Sequence, residues 1–257
     1  MDYTDILYAV DPQQHLARIT MNKPEKRNPL GPNMIGEIHH ALGAARDDAE
    51  VRAVILTGAG KAFSAGGDLS AMGQAPRNGL STSFVDLHLL FTRLGKPVIA
   101  MIDGPCMAGA VGVVCSCHLA VAADSAIFGT PEINRGLWPM MIMANIFRTV
   151  GRKRAMEMIL LGDKFDAAEA LRIGLVNRVV PAAELEPTTL ALAQQLARKS
   201  PAVMKLGLDG FYENADLPLE PQLRNLEKKF FEVIATEDAR EGLMAFLEKR
   251  APVWKGR

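Results

Sequence analysis

Ala62-Phe63-Ser64-Ala65-Gly66-Gly67-Asp68-Leu69 follows directly on an apolar, partly β-branched run, Arg52-Ala53-Val54-Ile55-Leu56-Thr57, that is closed by Gly58-Ala59-Gly60. The run reads as a strand, and the paired glycines after it let the backbone turn with its N–H groups facing outward. Any strand-to-loop turn can use two such glycines, so by itself the stretch fixes no chemistry. Downstream the pattern returns. Pro97-Val98-Ile99-Ala100-Met101-Ile102 reads as a second strand ending at Asp103-Gly104, and the small residues Gly109, Ala110 and Gly112 stand where a helix begins. A helix start offers unpaired N–H groups and the positive end of the helix dipole, which suits an oxygen that becomes negative during a reaction. Close helix packing through small residues would use the same composition.

Upstream, Leu16-Ala17-Arg18-Ile19-Thr20-Met21 alternates as a strand does, and Asn22 to Pro29 is a polar loop. Met34, Ile38, Ala41, Leu42 and Ala45 then fall on one face of a helix. A helix near Phe84 to Leu94 and short β segments around Leu119 to Ala122 and Ala126 to Phe128 complete an alternation that predicts a layered α/β core. Beyond residue 150 the pattern turns helical. Asp166-Ala167-Ala168-Glu169 has capping-box spacing and Gly174 supplies a stop, so Ala167 to Ile173 is predicted as a short helix. Leu219, Leu223, Leu226 and Phe230 form one apolar stripe, and Leu243, Phe246 and Leu247 another. These predict a helical tail that packs on the core or on another subunit, with a division at 1–197 and 198–257.

In 257 residues, 29 basic and 29 acidic side chains cancel, so no global field draws the protein to nucleic acid or an anionic membrane. The uncharged run Ala108 to Ala123 is shorter than the roughly 20 apolar residues a membrane span needs and reads as a buried helix. The acidic start, Met1-Asp2-Tyr3-Thr4-Asp5, is unlike a presequence, so the cytoplasm is the expected compartment. Cys106, Cys115 and Cys117 fit neither a redox pair nor a zinc ladder, and the histidines are scattered, so buried thiols and no metal site are expected. Gly60-Lys61 fails as a phosphate loop because Ile55 and Ala62 stand at its required positions. Ser64 fails as a nucleophile elbow because Ala62 replaces the needed glycine.

The ordered blocks Ala62 to Asp68, Lys96-Pro97-Val98-Ile99-Ala100, Asp103-Gly104, Ala126-Ile127-Phe128-Gly129-Thr130-Pro131-Glu132, Gly174-Leu175-Val176-Asn177 and Phe246-Leu247-Glu248-Lys249-Arg250 together resemble the enoyl-CoA hydratase/isomerase (crotonase) family. The resemblance spans nearly the whole chain. It implies a crotonase-like α/β spiral of β-β-α turns, with a helical C-terminal region that joins subunits into trimers or dimers of trimers. It implies an acyl-CoA substrate, with coenzyme A entering as part of the thioester and no covalently bound cofactor. The backbone N–H groups of Gly67 and Gly109 would hold the thioester oxygen, and Glu132 would move protons. The coenzyme would lie against Lys26, Ala65, Gly66, Asp68 and Leu69, with Pro131 and Trp138 also lining the substrate site.

Hydratases of this family use two glutamates, and the earlier position here is Gly112. One carboxylate suffices to take a proton from C2 of a 3-enoyl thioester and return it to C4, so isomerisation is the expected reaction, with hydration the nearest alternative. A binding protein without turnover is a weaker reading. Asp68, Asp86 or His88 would have to supply any second acid. His118 also replaces the family's usual aspartate, and Gly136 to Met143, rich in Met and carrying Trp138, replaces a glycine-rich segment. Such a stretch shapes an acyl pocket or is plain core.

Overall fold

A computed structural model describes residues 2–71 and 73–257. Strands β1 (Ile6–Asp11), β2 (Leu16–Met21), β3 (Ala53–Gly58), β4 (Val98–Ile102), β6 (Leu119–Ala123) and β9 (Arg178–Val180) form one sheet in that order. Only the β1–β2 pair is antiparallel. A smaller sheet joins β5 (Pro105–Met107), β7 (Ile127–Gly129) and β8 (Lys164–Asp166).

Because β3 and β4 are buried on both faces, they read in sequence as continuous apolar runs, as parallel strands between layers do. Alternate residues nonetheless serve different cores. Val54, Leu56, Val98 and Ala100 face a large core with α1 (Pro32–Asp47), α2 (Phe84–Thr92) and α3 (Gly109–Ser116). Ala53, Ile55, Ile99 and Met101 face the opposite side, covered by Leu185, Leu192, Ala193 and Ala197 of α7 (Ala182–Ala197).

The expected helix at 84 ends two residues early, and its start is capped by Ser83, whose hydroxyl accepts the Asp86 N–H at 2.9 Å. The uncharged run from Ala108 is helical only to Ser116, after which β6 takes over, so it is not one buried helix. Asp166 caps α6 (Ala167–Arg172) by accepting the Glu169 N–H at 2.8 Å, as the capping-box spacing predicts. Between them, α4 (Met140–Thr149) packs on α3, and α5 (Arg152–Leu161) on α4. Strands β1, β5, β8 and β9 had no sequence reading.

The chain ends in α8 (Pro201–Asn214), α9 (Leu219–Ala235) and α10 (Glu237–Leu247). Their apolar stripes are not covered: Leu219, Leu223, Phe230, Leu243, Phe246 and Leu247 are all more than half exposed. No helix among the described residues is long and apolar enough to cross a membrane.

Candidate active site

Two chain reversals lie side by side at the C-terminal ends of the parallel strands, where ligands bind in open α/β sheets. Ser64 bridges to Cys106 of β5: the Ser64 N–H donates to Pro105 O at 3.1 Å and the Met107 N–H to Ser64 O at 3.0 Å. Paired in this way, the two segments turn together, one at Gly66-Gly67 and the other at Ala108-Gly109. Gly66, at φ +89°, lies so close to the second turn that an added Cβ would stand 2.6 Å from both Met107 O and Ala108 Cβ. Only glycine allows that approach. Ala108 holds φ +53°, ψ −127°, a conformation costing about 1–3 kcal/mol for a residue with a side chain, and its N–H is tied to Gly129 O at 2.8 Å.

The Gly67 and Gly109 N–H groups are left over. Among the described residues neither donates to a backbone acceptor outside a helix, and Gly109 heads α3, where first-turn N–H groups have no helical partner. Gly67 is exposed and Gly109 half-buried, so both reach a ligand. The ring of Phe84 lies over Gly109, 3.5 Å from where a Cβ would stand.

Glu132 follows three residues after Gly129, in a 3-10 turn over Pro131–Arg135. The turn is pinned beneath by Thr130, whose hydroxyl donates to Met158 O at 2.7 Å, and by Asn134, whose amide donates to Gly162 O at 3.2 Å. Burial raises the Glu132 pKa, against smaller opposing effects from its own backbone and from Arg135. Its Oε2 is buried with no hydrogen-bond partner among the described residues. A half-desolvated carboxylate with a raised pKa and an unpartnered oxygen is suited to exchanging protons.

Position 112 offers no second carboxylate. A Cβ on Gly112 would stand 2.2 Å from Ile142 Cγ2 and 2.5 Å from Ile142 Cβ, so α4 fills the space a side chain at that position would need. Asp68 is occupied by Ser70, whose hydroxyl and N–H donate to it at 2.6 and 3.0 Å and hold its pKa down. Asp86 is exposed and engaged with Ser83 at the start of α2. His88 is buried, with burial lowering its pKa to about 4, so it is neutral at physiological pH.

The residues expected along the coenzyme path are brought together. Lys26 ends an exposed 3-10 turn, and the stretch after it runs along the Gly66-Gly67 turn. The Ala65 N–H donates to Arg27 O at 2.7 Å, Leu30 N–H to Gly66 O at 2.8 Å and Asp68 N–H to Leu30 O at 3.1 Å. The Lys26 charge contributes to the lowered Asp68 pKa, and Leu69 is exposed beside them. Pro131 opens the Glu132 turn, and Trp138 is half-buried with its Nε1–H on Met143 Sδ at 3.3 Å. Met140 and Met141, by contrast, are more than half exposed, so neither is plain core. It is Ile142 that turns inward.

Asn28 escaped the sequence reading. Fully buried at φ +53°, it accepts the Lys23 N–H and donates to Ala59 O at 2.9 Å and Ala62 O at 2.8 Å, fastening the polar loop to the strand end before the Gly66-Gly67 turn. Ser64 donates to Asn28 O at 2.6 Å and accepts the Gly66 N–H at 3.1 Å, so its hydroxyl is structural. His118 Nδ1 accepts the Val98 N–H at 3.0 Å, a role an aspartate can also fill.

A family model described as enoyl-CoA hydratase/isomerase matches residues 11–257. A probable enoyl-CoA hydratase of Mycobacterium bovis is 34% identical over 254 residues, covering 98% of each chain. A probable mitochondrial enoyl-CoA hydratase of Dictyostelium discoideum is 33% identical, covering 92% of this chain and 86% of its own. The crystal structure of an enoyl-CoA hydratase of Mycobacterium smegmatis superposes with a TM-score of 0.91 at 34% identity, covering 98% of this chain and 99% of that one. The α/β architecture is therefore the crotonase fold. The relatives' names say hydratase, which weighs toward water addition rather than the isomerisation expected from sequence.

Proposed function

The chain belongs to the enoyl-CoA hydratase/isomerase family of enzymes, and from that premise we propose that it shifts the double bond of a 3-enoyl-CoA to a 2-enoyl-CoA with Glu132 as proton carrier. Ionised Glu132 takes a proton from C2, and the electron pair moves through the carbonyl carbon onto the thioester oxygen. The Gly67 and Gly109 N–H groups donate to that oxygen. One such donor is typically worth about 3–4 kcal/mol in the transition state, because the dipoles are already aimed where charge develops. Protonated Glu132 then returns its proton to C4, the double bond forms between C2 and C3, and the carboxylate is regenerated. No atom is gained or lost.

The observation that carries this reading is the packing of Ile142 against Gly112, which leaves no room for a side chain where hydratases of the family carry their earlier glutamate. Hydration is the second reading. It has the stronger support from the relatives' names, and it requires a water to be activated without a side-chain acid at position 112. NMR of the protein with trans-3-hexenoyl-CoA and, separately, trans-2-hexenoyl-CoA in deuterated buffer separates the two. The 2-enoyl isomer without 3-hydroxyacyl product supports isomerisation, whereas rapid 3-hydroxyacyl-CoA formation supports hydration.

As part of the same proposal, coenzyme A lies along Lys26, Ala65, Gly66, Asp68 and Leu69, and the acyl chain enters past Pro131 and Trp138. The chain is proposed to assemble as a trimer or a dimer of trimers through residues 198–257, a reading supported by the uncovered apolar side chains of α9 and α10. A stable monomer by sedimentation contradicts it. The cytoplasmic location is proposed with the bacterial relatives, one eukaryotic relative being named mitochondrial.

A further inference from the structure

The Glu132 carboxylate has no clamp of its own. Its Oε2 is without a hydrogen-bond partner among the described residues, so the carboxylate takes its place from the Pro131–Arg135 turn that carries it. That turn is attached to two neighbours. On its entry side the Gly129 carbonyl accepts the Ala108 N–H at 2.8 Å, which ties it to the residue just ahead of Gly109. Its other attachments go to the C-terminal end of α5. Thr130 Oγ1 donates to Met158 O at 2.7 Å and Asn134 Nδ2 donates to Gly162 O at 3.2 Å. The residues two before and two after Glu132 are thus bonded to the same helix end.

The Thr130 bond runs against local habit. Thr130 stands at the head of the turn, where a threonine hydroxyl ordinarily accepts an N–H two or three residues on. It makes no such cap, and its hydroxyl is directed to α5 instead. Met158 O does not depend on it, because the Gly162 N–H already donates to that carbonyl at 3.1 Å. Thr130 is fully buried, where a valine would fill the same space with no hydroxyl to satisfy. The two surfaces also meet closely. Gly162 closes α5 at φ +65°, and an added Cβ there would stand 2.8 Å from Ile133 Cγ2 and 2.9 Å from Asn134 Nδ2.

We infer that the Met158–Gly162 end of α5 is the platform that holds Glu132 at the reacting carbons, with Thr130 and Asn134 as positioning residues. The inference rests on the reading of Glu132 as proton carrier. A base acts only within hydrogen-bond reach of its proton, and a misplacement of about 1 Å can cost roughly 100-fold in rate. A purely structural pair of bonds would hold the fold together and leave the chemical step alone.

Steady-state kinetics of T130V, T130S and N134A test this, with whichever of trans-3-hexenoyl-CoA and trans-2-hexenoyl-CoA the wild type converts. T130V deletes the hydroxyl at nearly constant shape and should lower kcat about tenfold or more. KM and calorimetric affinity for hexanoyl-CoA should stay within about twofold of wild type, because the lost contact is not one with the substrate. T130S keeps the hydroxyl and should recover most of kcat. N134A, at an exposed position that guards against misfolding of T130V, should also lower kcat with KM unchanged. Unchanged kcat in T130V and N134A, a T130S loss equal to that of T130V, or a loss that falls on KM instead overturns the inference and leaves the Glu132 reading standing. If E132Q turns over at the wild-type rate, the Glu132 reading itself fails and takes the inference with it.

Discussion

Replacing Gly112 with alanine should destabilise the protein, although the same change inside a helix usually helps. At an open helical position alanine gains about 0.5–1 kcal/mol over glycine. Here the new methyl would stand 2.2 Å from Ile142 Cγ2 and 2.5 Å from Ile142 Cβ, whereas ordinary contact is 3.4–4 Å. Overpacking of this kind typically costs about 1–3 kcal/mol. The net expectation is a loss of about 1–2 kcal/mol, or a Tm lower by about 2–8 °C for a chain of this size. Trimming Ile142 to alanine would not relieve the clash, because its Cβ remains, but I142G would. A double-mutant cycle of G112A with I142G should therefore show favourable coupling of about 1 kcal/mol or more. Thermal melts of the four proteins give the answer. A G112A protein that melts higher than wild type would mean the space at 112 is open, and the reason for excluding a second acid there would fall.

Three further outcomes follow from the site. Because burial raises the folded-state pKa of Glu132 above its unfolded value, its favourable contribution is present below the unfolded pKa and lost as pH rises through the folded one. E132Q should therefore melt higher than wild type at pH 7, with the gap closing as pH falls below the carboxylate range; a gap independent of pH contradicts the assignment. His88 and His118 have the opposite sign. Both are lowered to about 4 by burial, so the stability they contribute is present above pH 6.5 and lost as pH falls toward 4. H88Q should flatten that acid limb in a pH series of urea midpoints, and an identical limb refutes it. N28A should cost about 1–3 kcal/mol by orphaning the buried Ala62 carbonyl and the half-buried backbone groups at Lys23 and Ala59, and it should lower kcat as the Gly66-Gly67 turn loosens. Urea unfolding and steady-state kinetics check both parts.

The fold was legible where one period dominated. Val54, Leu56, Val98 and Ala100 announce β3 and β4 as apolar runs, and Asp166 with Glu169 announces α6 by its cap. The three-residue strands β5, β8 and β9 were not legible, since pairing across the fold, not local pattern, makes them strands. Leu185, Leu192 and Ala193 of α7 carry a helical spacing that could have been read as the second cover of the sheet. At the site, Gly66-Gly67 and Glu132 stood out because glycine pairs and a family motif are local signals. Asn28 did not, because its role depends on carbonyls more than thirty positions away. Nor did Ile142: a glycine in sequence says only that a side chain is missing, and the helix that took its space is visible only in three dimensions. His88 was named as one of three candidate acids, and its buried, neutral state separates it from exposed Asp86 and engaged Asp68.

The most direct measurement is turnover of trans-3-hexenoyl-CoA by E132Q beside calorimetric binding of hexanoyl-CoA to the same protein. Glutamine keeps the shape of the side chain but carries no exchangeable carboxyl proton. Removing a general acid–base group costs about 10²- to 10⁴-fold in kcat, and the account predicts a loss in that range with hexanoyl-CoA affinity little changed. Turnover at the wild-type rate, with binding intact, would show that another group carries the proton and would contradict the account at its centre.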